Sequence, residues 1–124
     1  MEAETSSESS TALSPERVAE MHEAGEVQLI DVRTSGEWDA GHVAGARHVE
    51  LDEIQGQADT MEKDRPVVFQ CRGGSRSEMV ASAFRESGWD AYNMEGGLRA
   101  WEERDLPLEP EGGHVAESTG LPGG

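Results

Sequence analysis

Hydrophobic positions along this chain of 124 residues fall into short, separated runs. VQLIDV at 27–32 and VVFQ at 67–70 are apolar, rich in β-formers and bounded by polar or turn residues, as buried strands are. Two further strands are predicted at 46–49 and at AYNM, 91–94. Between the strands the period becomes helical. Ser14-Pro15-Glu16 offers an N-cap, a proline at the first helical position and an early acid. Val18, Met21 and His22 then share a face before Gly25 stops the helix. Thr34-Ser35-Gly36-Glu37 has capping-box spacing and predicts a brief helix through Trp38 that ends at Gly41. A helical turn follows around 51–54. Ser75 and Glu78 repeat the capping-box spacing, ahead of an apolar stripe of Met79, Val80, Ala83 and Phe84 that ends near Gly88. Gly96-Gly97 leads into a last helix with Leu98 and Trp101. Strands alternating with helices predict an α/β domain built on a mostly parallel sheet.

A chain of this length has room for one domain and one modest core. Residues 1–12 and 109–124 are polar, rich in Gly, Ser and Glu, and without periodicity. They read as disordered tails around a folded domain at 13–108. No apolar run approaches the roughly 18 residues that cross a bilayer. The start, MEAETSSESSTA, has neither the basic nor the apolar part of a signal peptide, so a cytoplasmic protein is expected.

Charge narrows the partners. There are 26 acidic and 10 basic residues, a formal net charge of −16. Such a field repels nucleic acid and anionic lipid, and neither is expected as a partner. Adaptation to a high-salt cytoplasm and an ordinary acidic protein with unstructured tails both account for the excess. They differ in one measurement. A high-salt surface should gain melting temperature as salt screens its self-repulsion, mostly below about 1 M, where the Debye length falls to about 3 Å. A melting temperature indifferent to salt would favour the tails.

Cys71 is the single cysteine, so no disulfide can form within the chain. His22, His42, His48 and His114 show no metal-ligand spacing. Neither a metal nor another cofactor is called for. A lone cysteine is more often inert than nucleophilic, and only its neighbours can overturn that prior. Here they do. VVFQCRGGSRS (67–77) places Cys71 at the C-terminal end of a predicted strand, where open parallel sheets bind ligands. Gly73 and Gly74 can take positive φ and turn successive N–H groups inward as an anion nest. The following helix adds the positive end of its dipole, and Arg72 and Arg76 add formal charge. All of these favour thiolate over thiol. A plain Gly-rich turn with a chance cysteine leaves that coincidence unexplained. The cradle suits two chemistries: sulfur transfer through a persulfide, and phosphoryl transfer through a phosphocysteine.

The chain resembles the rhodanese family of sulfurtransferases in three segments. The loop of Cys71, Arg72, Gly73, Gly74, Ser75 and Arg76 matches the family's six-residue active-site loop. LIDVRTSGEWDAGHVAGARHV (29–49) resembles its N-terminal signature, and MEGGLRAW (94–101) its C-terminal one. Dual-specificity phosphatases, which are related, have a loop one residue longer with an arginine six positions after the cysteine, where this chain has Ser77. The match runs from about residue 11 to 108. It implies a central parallel sheet of about five strands with helices on both faces. It also implies a thiosulfate sulfurtransferase in which Cys71 is the catalytic nucleophile and carries the sulfur. Residues 72–76 would then bind the substrate: backbone N–H groups hold the anionic sulfur, Arg72 the donor's anionic end, and Arg76 shapes the cradle. The partners expected are a small-molecule sulfur donor and a thiol or cyanide acceptor, with a thiol protein or sulfur carrier as a further candidate. The chain is expected to be a monomer.

Other residues read as structural. Asp31 and Arg33 end a strand, where charge-assisted bonds tie down loops. Glu37 belongs to a cap, His42 is expected to bond locally, and Trp38 and Trp101 are packing residues. Rhodanese-like modules without the cysteine serve only for binding, and the intact loop here argues against that class. The Gly123-Gly124 ending resembles that of sulfur-carrier proteins, which have a different fold, and in a chain with 15 glycines it reads as chance.

Overall fold

Five parallel strands form one sheet in the computed structural model, which describes residues 11–116. In chain order the elements are β1 (Ala12–Leu13), α1 (Pro15–Glu23), β2 (Gln28–Asp31), α2 (Ser35–Ala40) and β3 (Arg47–His48). Two 3₁₀ segments follow, Leu51–Glu53 and Gln55–Thr60, then β4 (Val67–Gln70), α3 (Ser75–Glu86), β5 (Ala91–Met94) and α4 (Gly97–Glu103). The strand order is β1-β5-β4-β2-β3, with β4 in the centre. The resemblance's expectation of an α/β domain with about five parallel strands is met.

Two apolar layers hold the sheet. On one face Ile30, Val67, Phe69 and Ala91 pack with Val80, Ala81 and Phe84 of α3 and Ile54 of the 3₁₀ segments. On the other, Leu29, Val68 and Met94 pack with Val18 of α1 and Leu98 and Trp101 of α4. All four residues of β4 are buried, because a central strand is covered on both faces. Local signals set several ends. Ser14 accepts from the Arg17 N–H at 3.1 Å, with Pro15 opening α1. Thr34 and Glu37 make the predicted capping box on α2.

Three expectations change. The stripe expected on α3 is rotated, since Ser77, Val80, Ala81 and Phe84 are its buried residues while Met79 is 58% exposed. At the N-terminal boundary, Ala12 lies in β1, whose partners are Asn93 and Met94 of β5. At the C-terminal boundary, the chain from 109 to 116 lies on the domain: Glu109 pairs with His42, and Val115 packs against the α1/α4 layer. The remainder of both expected tails lies outside the described residues. No helix among the described residues is long and apolar enough to cross a membrane.

Candidate active site

The topology chooses the place. From β2 the chain goes on to β3 on one side, and from β4 to β5 on the other. The carboxyl ends of β2 and β4 therefore flank a switch point, the usual ligand crevice of an open parallel sheet. Cys71 directly follows β4 there and is fully buried.

The Cys71 sulfur sits where a helix cap would. The Gly74 N–H donates to Sγ at 3.1 Å and the Ser77 N–H at 3.4 Å. The first-turn donors of α3 are thus turned onto sulfur, as such donors turn onto anions. This corrects the predicted cap. The N-cap is Gly74, at φ 107°, and Ser75 is already the first helical residue. A left-handed residue here starts the helix at once and keeps its N–H groups convergent. Gly73, by contrast, is outside the positive-φ region. Glu78, expected in a capping box, pairs with Arg85 at 3.0 Å instead.

Two site residues escaped sequence reasoning. The Ser77 hydroxyl lies 3.3 Å from Sγ and bonds to Oδ1 of Asn93, and both residues are buried. A signal existed. Ser77 falls on the same helical face as Val80, Ala81 and Phe84, and a polar residue on a buried stripe requires a partner.

Arg76 turns to α2. Its Nη1 and Nη2 donate to Glu37 Oε1 and Oε2 at 2.9 and 3.0 Å, a bidentate pair with side chains 11% and 6% exposed. The Glu37 bonds hold the guanidinium above its already high range despite the opposing effect of burial. The field of Cys71 adds to that shift. Glu37 itself is set by its cap, taking the Thr34 N–H at 3.0 Å. The Ser35 hydroxyl and N–H at the start of α2 both bond Glu50, and hold that carboxyl below its usual range. Arg72 turns the other way, its Nε donating to the Ala116 carbonyl at 3.2 Å.

The flanking motifs are scaffolding. Arg33 forks onto Asp31 at 2.8–3.1 Å and donates to the Gly41 carbonyl at 2.8 Å, with both side chains fully buried. His42 donates from Nδ1 to the Trp38 carbonyl at 2.7 Å, and its ring stacks on Trp38 at 3.7 Å. Gly96 and Gly97 let the start of α4 approach the loop from behind. There the Leu98 and Arg99 N–H groups donate to the Cys71 and Arg72 carbonyls at 2.8 and 2.9 Å. Those bonds turn the carbonyls outward and leave the loop's N–H groups facing in. A Cβ on Gly97, at φ 63°, would stand 2.5 Å from the Arg72 oxygen and 2.6 Å from that of Cys71. Gly97→Ala should therefore lose about 2 kcal/mol or more in a denaturation midpoint and change the rate of Cys71 alkylation. Wild-type stability and alkylation in this variant would show that α4 does not hold the loop.

A family model for the rhodanese-like domain matches residues 14–104. The chain belongs to the rhodanese-like domain family. YtwF of Bacillus subtilis, which carries a provisional sulfurtransferase designation, is 39% identical over 82 residues, 66% of this chain and 80% of that protein. The thiosulfate sulfurtransferase GlpE of Shewanella oneidensis is 36% identical over 95 residues, 73% of this chain and 91% of its own. Among solved structures, the rhodanese-like domain protein of Staphylococcus aureus superposes with a TM-score of 0.69 at 28% identity, covering 86% of this chain and 99% of that one. This rhodanese-like domain is therefore a relative of named sulfurtransferases across most of its length. The loop, the Asp31/Arg33 segment and the Gly96-Gly97 segment converge on one end of its sheet.

Proposed function

We propose that the protein is a thiosulfate sulfurtransferase that works through a persulfide on Cys71. The Cys71 thiolate attacks the outer sulfur of thiosulfate. The bond between the two donor sulfurs breaks, and its electron pair leaves with sulfite. The new S–S bond makes Cys71 a persulfide, whose terminal sulfur carries the negative charge. Cyanide or a thiolate then attacks that sulfur and takes it as thiocyanate or an acceptor persulfide, which returns the thiolate.

One observation carries this reading: the N–H groups of Gly74 and Ser77 converge on Sγ at the start of a helix. Fixed dipoles placed where negative charge resides stabilise both the thiolate and the persulfide at no reorganisation cost. In this scheme the backbone of Gly73, Gly74 and Ser75 lines the sulfur cradle, and Arg72 meets the donor's sulfonate. Arg76 stiffens the loop through Glu37 and adds its field. Donor entry displaces loop side chains, because the sulfur is enclosed.

Intact mass spectrometry after thiosulfate treatment is the test. The protein should become heavier by one sulfur atom on Cys71 and lose it again with cyanide as thiocyanate forms. No added sulfur, or hydrolysis of an aryl phosphate faster than sulfur transfer, would overturn the reading.

A further inference from the structure

Beyond α4 the chain continues as a strap that returns to the catalytic loop. Trp101 Nε1 donates to the Pro107 carbonyl at 2.9 Å, and Leu106 and Leu108 pack on the α1/α4 layer. Glu109 and His42 exchange backbone bonds at 2.7 and 2.8 Å, and the His114 N–H donates to the Ala40 carbonyl at 2.9 Å. The Val115 N–H donates to Glu102 at 3.0 Å. The path ends at Arg72, whose Nε donates to the Ala116 carbonyl at 3.2 Å.

The crossing depends on missing side chains. A Cβ on Gly41 would lie 2.4 Å from the His114 oxygen and 2.6 Å from its nitrogen. A Cβ on Gly113 would lie 2.8 Å from the Pro110 oxygen and 3.1 Å from that of Ala40. Gly41 has φ 171°, extended backbone that any residue adopts, so its need for glycine is the close approach of the strap.

We propose that residues 109–116 are a positioning strap for Arg72 that sets the affinity for an anionic sulfur donor. An arginine on a loop has many rotamers, and freezing them when the donor binds weakens binding. A bond from Nε to a backbone carbonyl orients the guanidinium plane in advance, which is preorganisation. The strap thereby acts on donor binding and not on the sulfur. This inference rests on the function proposed above.

The test is steady-state transfer from thiosulfate to cyanide by two full-length variants. They are Gly41→Ala, whose Cβ runs into the strap at His114, and Gly113→Ala, whose Cβ crowds the strap's own turn at Pro110 and the Ala40 carbonyl beneath it. Both should raise the KM for thiosulfate roughly three- to tenfold, with kcat and the KM for cyanide within about twofold of wild type. Cys71 alkylation by iodoacetamide should keep its wild-type rate. In an Arg72→Ala background the same substitutions should add nothing to KM, a non-additivity that general loosening of the fold would not produce. If Gly41→Ala fails to fold because Arg33 also bonds the Gly41 carbonyl, Gly113→Ala decides. An unchanged or lowered KM in these variants of an active protein would overturn the strap alone. A wild-type protein that takes up no sulfur from thiosulfate would remove the functional reading and the strap with it.

Discussion

Cys71→Ser is expected to abolish sulfur transfer, with a loss of more than about a thousandfold in kcat/KM and no sulfur added in the mass spectrum. The chemistry sets the size of the effect. A serine hydroxyl is scarcely ionised at neutral pH, and its oxygen cannot form and release an S–S bond. The fold should survive, because serine is smaller than cysteine and can accept the same N–H groups of Gly74 and Ser77 that now meet Sγ. Cys71 also lies at the edge of the apolar cluster around Phe69 and Val80, so the new hydroxyl should cost on the order of 1 kcal/mol, offset in part by those bonds. The measurement is therefore paired: thiocyanate formation and a melting curve on the same sample. A folded Cys71→Ser protein that still made thiocyanate above background would end the persulfide mechanism.

What was legible in the chain followed the range of the forces involved. β4 and β5 fall where their apolar runs lie, at 67–70 and 91–94, and Thr34 and Glu37 close the capping box their spacing predicts. These are local rules, satisfied within a few residues. β1 was not legible, because two residues carry no alternation and its extended form comes from pairing with Asn93 and Met94. The Ser75 cap failed for a related reason. Its spacing to Glu78 fits the pattern, but a left-handed Gly74 and the Cys71 sulfur already satisfy the helix start. The side-chain directions of the two loop arginines were beyond any local rule. Arg76 finds Glu37 across 39 positions and Arg72 finds Ala116 across 44, and only the fold brings them together. Glu37 caps its helix as the spacing predicts and does more than that, since one carboxylate serves both α2 and the Cys71 loop.

That double role leads to the second large effect. Arg76 and Glu37 form a bidentate pair at 2.9 and 3.0 Å, with side chains 11% and 6% exposed. Removing one member leaves the other charge buried, so Arg76→Met and Glu37→Gln should each destabilise the protein, the former by about 3–5 kcal/mol. Glu37→Gln should cost less, because the amide oxygen can still accept from the Thr34 N–H and from one arginine nitrogen. Their effects on the sulfur should be opposite in sign. Arg76→Met removes the cation that forks onto Glu37 beside the Cys71 loop, which should slow iodoacetamide alkylation several-fold. Glu37→Gln removes the carboxylate charge opposite the guanidinium and should speed alkylation at the same pH. Loosening of the loop would move both variants in the same direction, so the sign separates electrostatics from packing. In the double variant neither charge remains, and its stability loss should fall below that of Arg76→Met alone. Alkylation rates that shift together would show that the pair acts as a strut between α2 and α3 and not through its field on Cys71. Stability losses that simply add would show that the two side chains are not coupled.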